Sequence, residues 1–398
     1  MKVKVWKLLG LLFIMIFVLS VASEVQAVEV TPSIAWSNTY SGFGDLARSV
    51  IQTKDGGFLI LSADLPSTQA ISVVFYLLKV DSSGNQQWNR TYQGIIPDTG
   101  QYIVQSADGG YAVAAGYKNS FLLIKTDQSG NQQWNQTYAG AGTCVATGLV
   151  QTSDGGYAIV GDSSGGAGTL ISIWLVKTDS NGNIEWNQTL GSGVARSLIQ
   201  TTDGGYAVAN DFTLVKLDSQ GSLQWNGTYA NGDENSAYSV VQTSDGGFAL
   251  GGWMWLRTNG GGYNIAIVKT NATGKMEWTK YYGAGFAYSL TKTSDGSFAI
   301  AGDKLVKVNA TGGKQWEIGL EGQASSVVQT QDDGYAIVGY ANNEPWLAKV
   351  TAAPSTSTVS VSPSPTVPEF SGIAIILVIG IVVVLSLIGV ALRRRYKQ

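Results

Sequence analysis

Seven copies of one short pattern run through the chain, and their spacing limits the folds open to it. The clearest copy reads Gln151-Thr152-Ser153-Asp154-Gly155-Gly156-Tyr157, then Trp174-Leu175-Val176-Lys177-Thr178-Asp179, then Gly182-Asn183-Ile184-Glu185-Trp186-Asn187. The turn aspartates of the seven copies are Asp55, Asp108, Asp154, Asp203, Asp245, Asp295 and Asp332, with gaps of 53, 46, 49, 42, 50 and 37 residues. A period of that size signals stacked or radial repeats. Asp-Gly between apolar and β-branched runs supplies the positive φ of a hairpin turn. The run L-V-K-x-D leads into a second turn, D-x-x-G-N, where Asp bonds its own backbone and Gly takes the left-handed position. Four antiparallel strands in ~45 residues is the arithmetic of a β-propeller blade. A solenoid would need distinct polar capping repeats, and the sequence has none.

The termini argue for a closed ring. Trp88, Trp134, Trp186, Trp225, Trp278 and Trp316 mark the fourth strand of six units. The seventh unit ends at Trp346-Leu347-Ala348-Lys349-Val350, before any fourth strand. The missing strand lies at the other end, where Ile34-Ala35-Trp36-Ser37-Asn38-Thr39-Tyr40 matches Ile184 to Leu190. The expected fold is all-β: a seven-bladed propeller of four-stranded antiparallel blades, the last closed by the N-terminal strand, followed by a C-terminal transmembrane helix. Closure removes the free edges that invite aggregation. A tryptophan repeated by symmetry reads as packing between blades. Lys79, Lys125, Lys177, Lys216, Lys269, Lys307 and Lys349 end the third strands, and each is predicted to approach the turn aspartate of its own blade. With both ends solvated, such a pair is worth only ~0–1 kcal/mol.

Composition narrows the chemistry. None of the 398 residues is histidine, which removes the common catalytic triads and argues against zinc catalysis. Neither turn offers the alternating oxygens of D-x-D-x-D-G, so no metal is expected, and the Gly140-Ala141-Gly142 and Gly283-Ala284-Gly285 fragments lie between strands with no helix following to make a phosphate loop, so no cofactor is expected. Cys144 is the single cysteine, so no intrachain disulfide forms; it reads as a small, semi-buried residue. Positions 28–368 hold 18 Lys and Arg against 26 Asp and Glu, a net charge of −8. An acidic body argues against nucleic acid.

The ends speak to location. Lys2, Lys4 and Lys7 precede an apolar run, Leu8 to Val21, and Val25-Gln26-Ala27 offers small residues for cleavage, so residues 1–27 read as a signal peptide. Residues 28–350 hold the ring. Residues 351–368 are half Ser and Thr with four prolines, an extended stalk. Gly372 to Leu392 is uncharged for 21 residues, enough to span a ~30 Å hydrocarbon core. Arg393-Arg394-Arg395-Tyr396-Lys397 follows and places the C-terminus in the cytoplasm and the ring outside. In an exported chain the sequons at Asn89, Asn135, Asn187, Asn226, Asn271 and Asn309 are candidate glycan sites, expected on the outermost strand; W-N-x-T-Y also simply suits a strand.

Pro368-Glu369-Phe370, set directly before the apolar segment and basic tail, resembles the PEF-type C-terminal sorting signal of archaeal surface proteins. The resemblance covers about the last 30 residues and implies an archaeosortase-type partner, cleavage near the motif, and transfer of the new end to lipid. The repeats look like the T-x-D-G-G-Y … L-x-K-x-D-x-x-G-N-x-x-W propellers of exported prokaryotic proteins. They are also similar to quinoprotein-like propellers, but no adjacent cysteine pair is present and that activity does not carry over.

The D-G-G and D-x-x-G-N turns share one nearly constant face, whereas the opposite face varies between copies, and recognition belongs on a variable face. Two features stand there. The blade-five insert runs from Trp253 through Trp255 and Arg257 to Tyr263, and its rings suit stacking on sugars or gripping a protein loop, or else pack the insert onto the ring. The innermost strands begin with Arg48, Gln101, Thr147, Arg196, Tyr238, Tyr288 and Ser325, either a binding rim or an ordinary polar lining. The expected function is a membrane-anchored surface module that binds extracellular glycans or proteins, or a structural part of the envelope. The alternative is an exported lyase or glycosidase using Asp45, Asp98, Asp233 or Glu234.

Overall fold

The computed structural model describes residues 32–64, 74–94, 102–164, 170–230, 234–257 and 261–352. The signal segment, the stalk, Pro368, Glu369, Phe370, the apolar stretch 372–392, Gln101, Asp98 and Asp233 lie outside these residues. Among the described residues no helix is long and apolar enough to cross a membrane.

The described residues form seven four-stranded antiparallel sheets, six of them in chain order from the inner to the outer strand. Blade three is typical: Thr143–Gln151, Tyr157–Ser164, Ile171–Thr178 and Ile184–Ser192. The seventh sheet takes its outer strand from the other end of the chain. Ile34–Thr39 pairs with Glu344–Val350, Thr39 opposite Trp346, and the Trp346 indole donates to Ser37 Oγ at 2.7 Å. The ring is closed as the matched termini predict.

The hydrophobic core is divided into seven clusters, one between each pair of neighbouring blades. Each fourth-strand tryptophan packs on the next blade. Trp36 meets Phe58, Trp88 meets Tyr111, Trp134 meets Tyr157, and Trp186 meets Tyr206, the last with centroids 5.4 Å apart. The same ring covers the glycine of the next blade's D-x-x-G turn. Gly182 has φ 83°, and a Cβ there would stand 2.9 Å from the Trp134 ring, so both conformation and space demand glycine. Four residues after the tryptophan, a tyrosine hydroxyl donates to that glycine's carbonyl, as from Tyr138 to Gly182 at 2.8 Å and from Tyr229 to Gly274 at 2.8 Å. W-x-x-x-Y is therefore a clamp on the following blade.

All seven Lys–Asp pairs form, from 2.7 Å at Lys125–Asp108 to 2.9 Å at Lys79–Asp55. They differ from surface pairs in one respect: the lysine is buried in six of them, and Lys307 is half-buried. Lys177 has 3% of its side chain exposed against 55% for Asp154. Its three donors meet Asp154 at 2.8 Å, the Thr178 carbonyl at 2.9 Å and Glu185 at 2.6 Å. An ammonium whose donors are all met tolerates removal from water.

A second repeated device was not read from the sequence. The glutamine before each Thr of Q-T-x-D-G-G reaches the neighbouring blade. Gln200 Oε1 accepts the Ser153 N–H at 2.8 Å, Gln242 accepts that of Thr202 at 2.8 Å, and Gln52 accepts that of Gln331 at 2.8 Å across the closure. Lys292 stands at this position in blade six. The signal was the glutamine itself, present in the six other copies.

The turn aspartates make the ring acid-sensitive. Burial works against their ionisation, but the lysine, a Thr hydroxyl and a glycine N–H outweigh it and hold Asp154, Asp203, Asp245 and Asp332 at about 2. Asp55, Asp108 and Asp295 are lowered too. The folded value lies below the unfolded one of ~4, so this stability is complete above about pH 4 and is lost as pH falls toward 2. The thermal midpoint is expected to stay flat from pH 7 to about 4 and then to fall steeply. Calorimetry showing an unchanged midpoint at pH 2 would contradict this.

Candidate functional site

The first strand of each blade starts at the variable face, and in five of the seven blades it carries a β-bulge near that end. Register shifts fall between Ala47 and Ser49, Ala146 and Gly148, Ala237 and Ser239, Ala287 and Ser289, and Ala324 and Ser326. The extra residues are Arg48, Thr147, Tyr238, Tyr288 and Ser325, the same rim positions picked out from the sequence. A bulge re-aims its side chain, which is how one position in each of these five blades comes to differ in direction from its neighbours.

The rim is not uniform. Arg48 is buried, with 4% exposure, and Thr147 is buried as well, so neither is presented at the mouth as expected. Tyr238, Tyr288 and Ser325 line a channel cavity of about 170 Å³ together with Ser239, Ser289 and Ser326. The serines serve the ring: Ser289 Oγ accepts the Val327 N–H at 3.1 Å, and Ser197 Oγ accepts that of Val240 at 3.2 Å. The channel's polar lining is thus engaged in joining blades.

The blade-five insert is not a loop around its aromatic residues. Trp253 and Trp255 lie in Phe248–Leu256, and Tyr263 lies in the returning strand Gly262–Thr270, with Trp255 opposite Tyr263. Aromatic and β-branched residues favour strand extension, and alternation puts both tryptophans on one face. Met254, on the other face, is buried in the cluster shared with blade four. Arg257 is exposed where this strand ends.

The tryptophans join a longer track. Trp255 meets Tyr263 with centroids 4.8 Å apart; Tyr263 meets Trp253 at 5.0 Å and Phe286 at 4.8 Å. Phe286 stacks beside Tyr288 at 6.5 Å, Tyr288 meets Tyr238 at 5.2 Å, and the Arg196 guanidinium lies 4.9 Å from the Tyr238 ring centre. All six rings are partly exposed. The structure therefore unites Trp253, Trp255, Tyr263, Tyr238, Tyr288 and Arg196, which the sequence had offered as two separate features, and Phe286 is the link it did not show. The signal available was its place between the fifth and sixth blades, ahead of Tyr288.

Electrostatics frame the track. The Glu234 carboxylate accepts the Tyr263 hydroxyl, and this bond raises the Tyr263 pKa. Burial pushes Tyr288 up to about 12, so its hydroxyl stays a neutral donor. Burial also pushes Asp162 up to about 6, against the Ala195 N–H at 2.9 Å and the nearby Arg196 guanidinium.

The sequons divide. Asn135, Asn187 and Asn226 stand exposed on outer strands, and Asn89 is half-buried there. Asn271 and Asn309 are not on the outer strand. They open third-to-fourth turns in place of Asp, their Oδ1 atoms accepting the N–H of Lys275 and Gly313 at 2.9 and 2.8 Å. Asx-turn chemistry explains that placement. Cys144 is buried, its Sγ 3.4 Å from Ser163 Oγ.

No protein-family model and no curated relative matches the sequence. Solved structures do match. The WD40 β-propeller domain of Doa1 aligns with a TM-score of 0.57 at 11% identity over 81% of this chain and 97% of its own. A catalytically inactive histidine-to-alanine variant of virginiamycin B lyase from Staphylococcus aureus, with quinupristin, aligns at 0.58 and 10% identity over 81% and 99%. BBS1N in complex with ARL6DN aligns at 0.55 and 12% identity over 83% and 99%. At such identities the likeness is one of fold, and together with the seven sheets it makes this chain a seven-bladed β-propeller of repeated four-stranded blades.

Proposed function

We propose that the protein is a non-catalytic binding module, displayed outside a cell membrane on a C-terminal anchor, that holds extracellular carbohydrate against the aromatic track. The track carries this reading. Six partly exposed rings in edge-to-face and stacked contact form a firm apolar surface on the face whose loops vary. Such rings stack on the C–H faces of sugars, and the hydroxyls of Tyr238, Tyr263 and Tyr288 supply polar handles. Mutual contact holds the rings in place before a ligand arrives, so little side-chain entropy remains to be lost on binding.

Location rests on the ends of the sequence: the signal-like residues 1–27 and the uncharged 21-residue stretch with its basic tail. The PEF-like tripeptide supports processing by an archaeosortase-type enzyme. The fold serves enzymes and binding proteins alike, and the lyase it resembles is inactive without one histidine. This chain has none to supply that chemistry.

Trp253→Ala and Tyr263→Ala are each expected to weaken carbohydrate binding by roughly thirtyfold, ~2 kcal/mol, with little change in melting temperature. A glycan array with full-length protein in mild detergent, followed by titration calorimetry, measures it. Unchanged affinity in both variants sinks the track reading, and turnover of a bound polysaccharide replaces it with an enzymatic one.

A further inference from the structure

A pocket of about 380 Å³ opens on the variable face between blades six and seven. Its lining includes Asp303, Glu321, Gln323, Tyr340, Asn342 and Asn343. The polar groups are held in place. Asp303 accepts the Phe286 N–H at 2.8 Å and the Gln323 side-chain amide at 3.1 Å, and Gln323 Oε1 accepts the Tyr340 hydroxyl at 2.9 Å. Glu321 accepts the Ser37 hydroxyl at 2.8 Å. Asn342 and Asn343 have φ of 54° and 61°, the signature of a two-residue hairpin turn that favours Asn or Gly. Phe286 joins this pocket to the track: its ring touches Trp253 and Tyr263 while its N–H holds Asp303.

We propose that this pocket binds one neutral, diol-bearing sugar unit of a glycan whose neighbouring units lie over the aromatic track. The inference rests on the carbohydrate reading above and names the ligand class. Vicinal hydroxyls donate to carboxylates in pairs, and side-chain amides both donate and accept, so the lining matches a sugar's hydroxyl edge. No lysine or arginine lines the pocket, and two carboxylates do, so uronates and sulfated sugars meet like charge. A metal site fits less well: among the described residues no group of three or more acidic, Cys or His ligands gathers.

The test is titration calorimetry on the full-length protein in detergent with cello-, xylo- and mannohexaose and with the galacturonate hexamer. The variants are Glu321→Gln and the pair Asn342→Gly and Asn343→Gly, which keeps the positive-φ turn intact. The wild type is expected to bind at least one neutral hexamer at least tenfold more tightly than the uronate, and each pocket variant to lose about fivefold or more. Pocket variants that bind like wild type while Trp253→Ala fails would overturn the pocket and leave the track standing. Equal or tighter binding of the uronate, or binding that requires added calcium, overturns the neutral-sugar assignment. No binding of any neutral hexamer overturns the pocket and the carbohydrate reading together.

Discussion

Trp36→Ala is expected to destabilise the propeller by about 3 kcal/mol, and deletion of the strand that carries it is expected to do more than destabilise. Trp36 packs edge-on against Phe58 at 6.1 Å and covers Gly84 of blade one. Its strand, Ile34–Thr39, is the outer strand of blade seven and the latch of the ring. Truncating a large ring at a packed interface removes its transfer free energy and leaves a cavity; partial exposure of Trp36 sets the lower end of the usual 3–5 kcal/mol. Trp186→Ala makes the same local loss between blades three and four, where the chain is continuous. Both substitutions should lower the urea midpoint by similar amounts. Deleting the strand also bares the edge of Glu344–Val350, an apolar strand with unpaired N–H and C=O groups. That variant should elute as aggregate, whereas Trp186→Ala should stay monomeric. A monomeric, normally melting deletion variant would show that the latch is dispensable.

The second large effect is at the buried lysines. Lys177→Met is expected to cost about 2–3 kcal/mol at pH 7, below the usual 3–5 for breaking a buried pair because Asp154 is half in water. Loss of the ammonium leaves Asp154 and Glu185 near each other without a cation, and the Thr178 carbonyl loses a donor. Lys216 provides the comparison, since its strand-four partner is the neutral Gln224 at 3.0 Å. Lys216→Met should therefore cost less, and adding Glu185→Gln to Lys177→Met should close most of the gap. Equal losses at the two sites would mean that the second carboxylate contributes nothing.

What the sequence showed follows from repetition. Asp154, Lys177 and Trp186 recur in copy after copy, so their roles could be compared within one chain, and blade count, ring closure and the Lys–Asp pairs were legible. Burial was not. Lys177 looks like a charged strand end in a string of letters, and only the sheet shows Glu185 brought beside it on the next strand. The candidate site was half legible for the opposite reason. Trp253, Tyr263, Tyr238 and Tyr288 stood out because they break the repeat, but their assembly depends on bulges and on an extended hairpin that leave little trace in local sequence. Phe286, Asp303 and Tyr340 come from connections and strand ends of different blades, and nothing in their spacing joins them. Asn271 and Asn309 were misplaced because an N-x-T triplet in a turn reads the same as one in a strand.

The latch also sets an order of events. Ser37 and Trp346, bonded in the finished ring, are 309 positions apart in the chain. This N-terminal strand must therefore wait, unpaired, until nearly the whole repeat array has been made. A chain broken off early has no Glu344–Val350 for it to join, and so keeps an open flank that the complete chain lacks. Closure thus acts as an internal check of completeness, separating finished copies from unfinished ones by the edges they leave for others to seize.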